Sequence, residues 1–197
     1  PPAVSADITS GVAWLSIQQN ASGSFGNTPT SLASPVQSTA EVLRAFQALG
    51  QQASPSYLPA LAFLNNQDST RVESLVRRIT INAVQGNNVT ALVAELLTHQ
   101  DGTSGGFGEL LNYQGAVSDT AFALEALTLA GVTDANVIAP AVGLLMSRQQ
   151  ASGGWADGDN VPSVTLTALS LRALWYYRHV YLGVPAALTN GKTFLFS

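Results

Sequence analysis

Apolar side chains recur along this chain at three- and four-residue steps, with polar positions between them. Near the start, Ile8, Val12 and Leu15 show this spacing, which is that of a helix with one buried face. No stretch shows a sustained alternation of apolar and polar residues with β-branched enrichment, so the pattern predicts an all-α chain built from pairs of helices. Similar apolar runs follow at Val42–Leu49, Leu58–Leu64, Val72–Ile79, Leu92–Leu97, Phe122–Leu129, Val137–Leu145 and Leu166–Leu174.

Four of the apolar runs end in glutamine, and three of these are followed by a turn with glycine and an aromatic residue. The glutamines are separated by 67 − 18 = 49, 100 − 67 = 33 and 149 − 100 = 49 residues. Spacing in this range indicates a stack of similar supersecondary units. The runs are Trp14–Gln18, Phe63–Gln67, Leu96–Gln100 and Leu145–Gln149, and the turns are Ser22–Gly26, Ser104–Gly108 and Ser152–Trp155.

The repeat copies divide the chain at regular places and predict a single repeat domain over residues 1–197. The copies cover residues 6–50, 55–86, 88–131 and 135–181, and a fifth begins at 186–197. The second copy lacks the glycine-aromatic turn. Phe194-Leu195 lies 49 positions after Leu145-Met146, so we expect the sequence to stop inside the fifth copy of a larger protein.

The second helix of a pair begins with a small polar step. Thr39-Ala40, Thr120-Ala121 and Thr167-Ala168 occupy matching positions, and small residues there allow helices to pack closely. Asp119 and Ser163 lie where these helices begin, and both residue types can cap free backbone N–H groups. We therefore predict that both are N-caps.

The combination of an apolar run, glutamine, a glycine-aromatic turn and Thr-Ala resembles the QW-type repeat of the prenyltransferase and squalene-cyclase superfamily. The resemblance covers nearly the whole chain and implies an α/α toroid of helix hairpins, here incomplete, with about four to five pairs. The motif residues are predicted to be structural, because a glutamine amide can bond free backbone groups and glycine tolerates positive φ. They are Gln18, Phe25, Gln67, Gln100, Phe107, Gln149 and Trp155.

Composition limits the kinds of function that the chain can carry out. Only 10% of residues are charged, so the surface must be rich in neutral polar side chains, which suits a secreted or cell-surface protein, although a cytoplasmic one stays possible. Eight basic residues and a net charge of −4 argue against nucleic-acid binding. No apolar stretch reaches the roughly 20 residues of a membrane span, and no signal peptide is visible.

The catalytic signatures of the superfamily are missing from the sequence. A protonating cyclase requires an Asp-x-Asp-Asp cluster, and the nearest match, Asp157-Gly158-Asp159-Asn160, departs at its last position and lies in a glycine loop. A prenyltransferase zinc site needs Asp, Cys and His, but the chain has no cysteine and only His99 and His179. We therefore predict no catalytic residue, no cofactor and no metal within this chain.

Five residues are candidates for contact with a ligand in a cavity. The resemblance would aim Asp119 at the cavity end, although an N-cap role is the simpler interpretation. Glu41 and Glu125 lie on second helices, where a solvated or ion-paired face would also explain Glu125. Trp175 and Tyr176 belong to the densest aromatic group. That group suits core packing, a sugar or lipid platform, or stabilisation of a carbocation by aromatic rings.

The leading prediction for function is a non-catalytic toroid module of a larger, exported bacterial protein that acts in binding or assembly. One alternative is a terpenoid-cyclase-like or prenyltransferase-like domain that acts on a hydrophobic substrate, with its catalytic acids outside this chain. A second alternative is a carbohydrate-binding or polysaccharide-lyase-like toroid. The expected partners are the rest of the parent chain, a second copy, or a lipid or glycan.

Overall fold

The computed structural model describes residues 2–26, 33–68 and 70–197, with side chains from residue 7 onward. Within these ranges the backbone forms nine helices and no strand, which confirms the all-α prediction. The helices are α1 (Pro2–Ile17), α2 (Pro35–Ala48), α3 (Tyr57–Asn65), α4 (Val72–Val84), α5 (Thr90–Thr98), α6 (Val117–Leu129), α7 (Ala135–Ser147), α8 (Val164–Trp175) and α9 (Val184–Phe196).

The helices follow one another as four pairs and one additional helix, as the repeat pattern predicts. The first members are α1, α3, α5, α7 and α9, and the second members are α2, α4, α6 and α8. The chain divides into two compact units, residues 1–68 with α1 to α3 and residues 69–197 with α4 to α9. The single repeat domain stays a prediction.

The second unit is organised around α6. This helix contacts the second helices α4 and α8, and also α7, the first helix of the next pair. Leu124 and Leu127 of α6 are fully buried, as are Leu75 and Ile79 of α4. Buried alanines on α6 leave room for these close contacts, which is the packing that the Thr-Ala step predicts. The second helices of three copies therefore form a continuous row, α4–α6–α8.

The first unit has an aromatic core where α2 packs on α3. Phe46 is fully buried between Phe25 and Tyr57, and each of these rings has its centroid 6.4 Å from that of Phe46. The Phe25 ring meets Phe46 edge to face, a favourable arrangement for aromatic pairs. The aromatic residue of the first repeat turn thus belongs to the core.

Helix capping agrees with the prediction at Ser163 and not at Asp119. The hydroxyl of Ser163 accepts a hydrogen bond from the backbone N–H of Leu166 at the start of α8. The N-cap of α6 is Ala116, and Asp119 lies inside the first turn, so the N-cap prediction for Asp119 is wrong. None of the helices in the described part is long and apolar enough to cross a membrane.

Candidate functional site

The glutamines of the repeat turns connect consecutive first helices. The side-chain amide of Gln100 donates to Gly105 O at 2.9 Å and to Val137 O of α7 at 2.8 Å. Gln149 likewise donates to Gly153 O at 2.8 Å and to Ala187 O of α9 at 2.9 Å. Each glutamine thus uses both amide protons, one for its own turn and one for the next first helix.

In the first copy this role belongs to Gln19. Its amide donates to Gly23 O at 2.9 Å and to Ser56 O at 2.8 Å, whereas the preceding Gln18 is exposed. Gln67 of the second copy instead donates to Phe63 O of its own helix. The sequence does contain the correct register, because the run from Gln19 to Gly23 aligns without a gap on the run from Gln149 to Gly153.

The threonines of the second helices hold the aromatic residue of each turn. Three fully buried threonine hydroxyls accept hydrogen bonds of 2.8–3.0 Å from a backbone N–H. These threonine residues and their donors are Thr39 with Phe25, Thr120 with Phe107, and Thr167 with Trp155. The indole N–H of Trp155 also donates to Leu145 O. The glutamine, aromatic and threonine residues of the motif therefore stabilise the helical array. Residues that bind or react with a ligand are expected at other positions.

Glycine is required where a turn touches the next first helix. Gly153 has φ of 91°, and a Cβ placed on it would lie 2.4 Å from Asn190 O of α9. Gly105 has φ of 75°, and a Cβ there would lie 2.4 Å from Cβ of Pro140 in α7. Any larger residue would therefore push these helices away from the turns.

Acidic residues collect where α4 and α6 begin, in the second unit. Glu73 lies in the first turn of α4, and Asp119 lies in the first turn of α6. Glu109 and Asp157 come from the repeat turns, each two residues after the motif aromatic. We call Glu73, Glu109, Asp119 and Asp157 the acidic cluster.

The repeat turns reach the acidic cluster because they cap the second helices. The first free N–H of α4, at Val72, donates to the backbone oxygen of Glu109 at 3.0 Å. The equivalent N–H of α6, at Val117, donates to the carboxylate of Asp157 at 2.9 Å. The unsatisfied donors of a helix N-terminus thus fix both turns in place. Asp157 thus caps α6 from the glycine loop that follows Trp155.

Asp119 is the group that this arrangement perturbs most clearly. Burial raises the pKa of Asp119 from the ordinary 3.8 to about 6. The negative charges of Glu109, Asp157 and Glu73 act in the same direction, in that order. Asp119 can therefore hold a proton at a pH where an exposed aspartate is ionised, which is the requirement for a general acid. No group of acidic or histidine side chains in the described ranges is arranged to hold a metal ion.

One turn further along α6, a charged network crosses the row α4–α6–α8. Phe122 lies between two guanidinium groups, with Cζ of Arg77 5.9 Å and Cζ of Arg172 6.0 Å from its ring centroid. Arg172 forms an ion pair of 2.6 Å with Glu125, and Arg77 pairs with Glu73 at 3.3 Å. Glu125 is 7% exposed, so the predicted pairing is present but a solvated face is not.

The other candidates from the sequence lie elsewhere. Trp175 is 48% exposed and Tyr176 is 42% exposed, so neither is a core residue. The Trp175 ring has Cζ of Arg178 4.1 Å and Nζ of Lys192 5.6 Å from its centroid. Glu41 belongs to the first unit, where it is exposed. The sequence therefore indicated Asp119 and the Glu73–Arg77 pair, but it did not group Asp119 with Glu73, Glu109 and Asp157 or place the arginines around Phe122.

Comparison with solved structures identifies proteins whose fold is similar to that of this chain. A protein from Actinoplanes matches with a TM-score of 0.70 and 20% identity over 95% of this chain. The type II terpene cyclase MstE from Scytonema, without ligand, matches with a TM-score of 0.73 and 20% identity over 98% of this chain. The fold of this chain resembles that of a type II terpene cyclase.

A variant of MstE in complex with merosterolic acid A, its product, also matches, with a TM-score of 0.66 and 20% identity over 93% of this chain. The chain spans 64%, 62% and 61% of the length of these three structures. No protein-family model and no curated protein sequence matches it. The likeness therefore establishes the fold and leaves the activity to be argued from the residues.

Proposed function

We propose that this chain forms part of a terpene-cyclase-like enzyme in which Asp119 is the acid that protonates an isoprenoid alkene. The observation that supports the proposal is the raised pKa of Asp119 at the start of α6, where the other three members of the acidic cluster lie near it. The acidic neighbours come from three separate segments instead of from one Asp-x-Asp-Asp run. The acid is thus inside this chain, in contrast to the cyclase alternative derived from the sequence.

The proposed step is a redox-neutral isomerisation. The proton of the Asp119 carboxyl group forms a C–H bond with one alkene carbon, using the alkene π electrons, and leaves a tertiary carbocation on the other carbon. Attack by a second alkene closes a ring, and loss of a proton to solvent ends the reaction. The Asp119 carboxylate then takes a proton from water, so the product is an isomer of the substrate.

The pKa of Asp119 determines how much of the protein is competent for this step. With a pKa of about 6, about one molecule in ten carries the proton at pH 7. An aspartate with the ordinary pKa would be protonated in fewer than about one molecule in a thousand. Burial and, to a smaller extent, the acidic neighbours therefore increase the reactive population by about a hundredfold. Activity is expected to rise as the pH falls toward 6.

The substrate class follows from the comparison with MstE. That protein is a type II terpene cyclase, and a variant of it is solved in complex with its product, merosterolic acid A. If the present chain uses the same fold for the same class of chemistry, its substrate is an acyclic isoprenoid with a terminal alkene.

The test is cyclisation in heavy water. The purified chain is incubated with squalene or geranylgeraniol in D2O at about pH 6, and products are analysed by mass spectrometry. Acid-initiated cyclisation delivers one deuterium from solvent to the former terminal alkene. The expected product has a new retention time and a mass increased by the deuterium incorporated.

Two aspartate variants distinguish the loss of the proposed acid from a general effect of removing one negative charge. Asp119→Asn is expected to abolish labelled product, whereas Asp159→Asn, which changes an exposed turn residue, is expected to retain it. A labelled product that persists in Asp119→Asn contradicts the role of this carboxyl group. If the unmodified chain gives no labelled product from either isoprenoid, the enzymatic proposal for this chain is wrong.

A second function, ligand binding without catalysis, is favoured by the surroundings of Phe122. A carbocation is stabilised by an open aromatic face, but Arg77 and Arg172 each lie about 6 Å from this ring. Such a charged wall suits a polar ligand better than a cationic intermediate. Binding of geranylgeraniol, the more polar of the two probes, but not of squalene, with no deuterium incorporation would support this function over the enzymatic one.

A further inference from the structure

A separate cavity lies at the other end of α6. Thr128, which contributes to its wall, is nine residues after Asp119, a distance of about 14 Å along the helix axis. The wall is completed by the loop after α6, the first turn of α7 and the segment after α8. The cavity therefore belongs wholly to the second unit and is distinct from the acidic cluster.

The lining of this cavity is neutral and mainly apolar. Its volume is about 340 Å³, within the range of small-molecule pockets. None of its ten lining residues carries a charge. Ile138 and the rings of Tyr176, Tyr177 and Tyr181 contribute apolar surface. A charged ligand would lose its hydration here without gaining an ionic partner, so the occupant must be neutral.

A chain of hydrogen bonds determines whether the Tyr177 hydroxyl can donate or accept at the cavity wall. The hydroxyl of Thr128 donates to Leu124 O at 2.8 Å, and the Tyr177 hydroxyl lies 2.7 Å from the same Thr128 oxygen. The Tyr177 hydroxyl also lies 3.3 Å from Leu124 O, so with the Thr128 proton directed at that carbonyl, the Tyr177 proton is shared between Thr128 Oγ1 and Leu124 O. Burial raises the pKa of Tyr177, so its phenol stays protonated. Its oxygen is left as an acceptor at the cavity wall.

We infer that this cavity binds a small, neutral, apolar alcohol, whose hydroxyl donates a hydrogen bond to the phenolic oxygen of Tyr177. The apolar body of the ligand packs against Ile138 and the tyrosine rings. The cavity is thus a ligand site independent of any reaction at Asp119, and it would serve a catalytic or a non-catalytic protein equally.

The test compares two probes that share one terpene body, the second having a methyl group in place of the hydroxyl proton. Geraniol carries a hydroxyl group, and its methyl ether has the same apolar body without the proton. By calorimetric titration, geraniol is expected to bind about three- to tenfold more tightly than the ether, which corresponds to one hydrogen bond. Equal affinities, or no binding of geraniol up to about 1 mM, would overturn the inference.

Two variants test whether the probes bind in this cavity and whether Tyr177 accepts the hydrogen bond. Tyr177→Phe keeps the ring and removes the acceptor, so both probes are expected to bind with the weaker affinity of the ether. Thr133→Trp places a large ring at the exposed mouth and is expected to weaken both probes at least tenfold. Thr103→Trp, in an exposed turn outside the cavity, is the matched control and should bind as the unmodified chain does.

The two cavity variants are independent tests, so an unstable variant does not prevent the other from refuting the inference. Circular dichroism establishes whether each variant is folded before titration. A folded Tyr177→Phe protein that still prefers geraniol contradicts the hydrogen bond. If Tyr177→Phe does not fold, Thr133→Trp decides alone, because unchanged affinity for geraniol in that variant would place the ligand outside this cavity.

Discussion

Replacing Asp119 by asparagine should stabilise the protein at neutral pH and have little effect in acid. In the folded protein, burial and the acidic cluster raise the pKa of Asp119 from 3.8 to about 6. Below about pH 4, both folded and unfolded chains hold the proton, and the carboxyl group costs nothing. As the pH rises toward 6, the unfolded chain ionises first, and stability is lost through this interval.

The size of the effect follows from the two pKa values. The difference between 3.8 and about 6, at about 1.4 kcal/mol for each pH unit, gives an upper bound of about 3 kcal/mol. Asp119 is only half-buried, so solvent screening reduces this value. A negative charge in the first turn of a helix is also favourable by roughly 0.3–1 kcal/mol. We therefore expect a net gain of about 1–2 kcal/mol for Asp119→Asn at about pH 7.5.

The assay is urea unfolding followed by circular dichroism at about pH 4 and about pH 7.5. With a urea dependence of about 1–3 kcal/mol per molar, the midpoint for Asp119→Asn should rise by roughly 0.5–1 M at the higher pH. At about pH 4 the rise should be only about a fifth as large, because the unfolded chain has begun to ionise. Asp159→Asn is the matched control and should shift neither midpoint. An equal gain for Asp119→Asn at both pH values, or no gain at neutral pH, would show that Asp119 does not have a raised pKa.

Two further pairs of variants test the repeat contacts and the charged network. Gln19→Met should lower the free energy of unfolding by about 1–3 kcal/mol, because two hydrogen bonds are lost, while Gln18→Met should have almost no effect. Equal losses in urea unfolding would return the repeat role to Gln18. Glu125→Gln should cost about 2–3 kcal/mol, since it removes the negative charge that pairs with Arg172 at 2.6 Å. Glu41→Gln removes an exposed pair and should cost less than about 0.5 kcal/mol; a similar loss in both glutamate variants would contradict the burial of Glu125.

The fold could be predicted because its signals are local and repeated. Helical spacing of apolar residues depends only on neighbours three or four positions apart, and the chain presents it in successive copies. The alignment of Thr39, Thr120 and Thr167 likewise follows from the sequence alone. Their function as acceptors for the turn aromatic does not, because the turn that supplies the N–H lies 12–14 residues earlier and returns only when folded.

The acidic cluster could not be predicted because its members are distant in sequence. Asp157 follows Asp119 by 38 residues and meets α6 only because its turn caps that helix. Composition identifies such residues as charged, but it cannot tell which turn caps which helix. The error at Gln18 has a simpler cause. Placing the four glutamine-ending runs in one frame favours Gln18, whereas aligning the turns selects Gln19.

Comparison of the copies also distinguishes residues that have a structural role in the repeat from residues that could have a chemical role. Five residues after the buried threonines, the copies have Arg44, Glu125 and Arg172, and the last two pair across neighbouring second helices. A repeat that places opposite charges at one position of adjacent helices thereby stabilises its own stacking. One residue before the threonines, the copies have Ser38, Asp119 and Leu166. Only the third copy has an ionisable group there, so a role in the repeat does not account for Asp119. No role in the repeat offsets its cost in stability at neutral pH, and the proton donation that we propose would account for that cost.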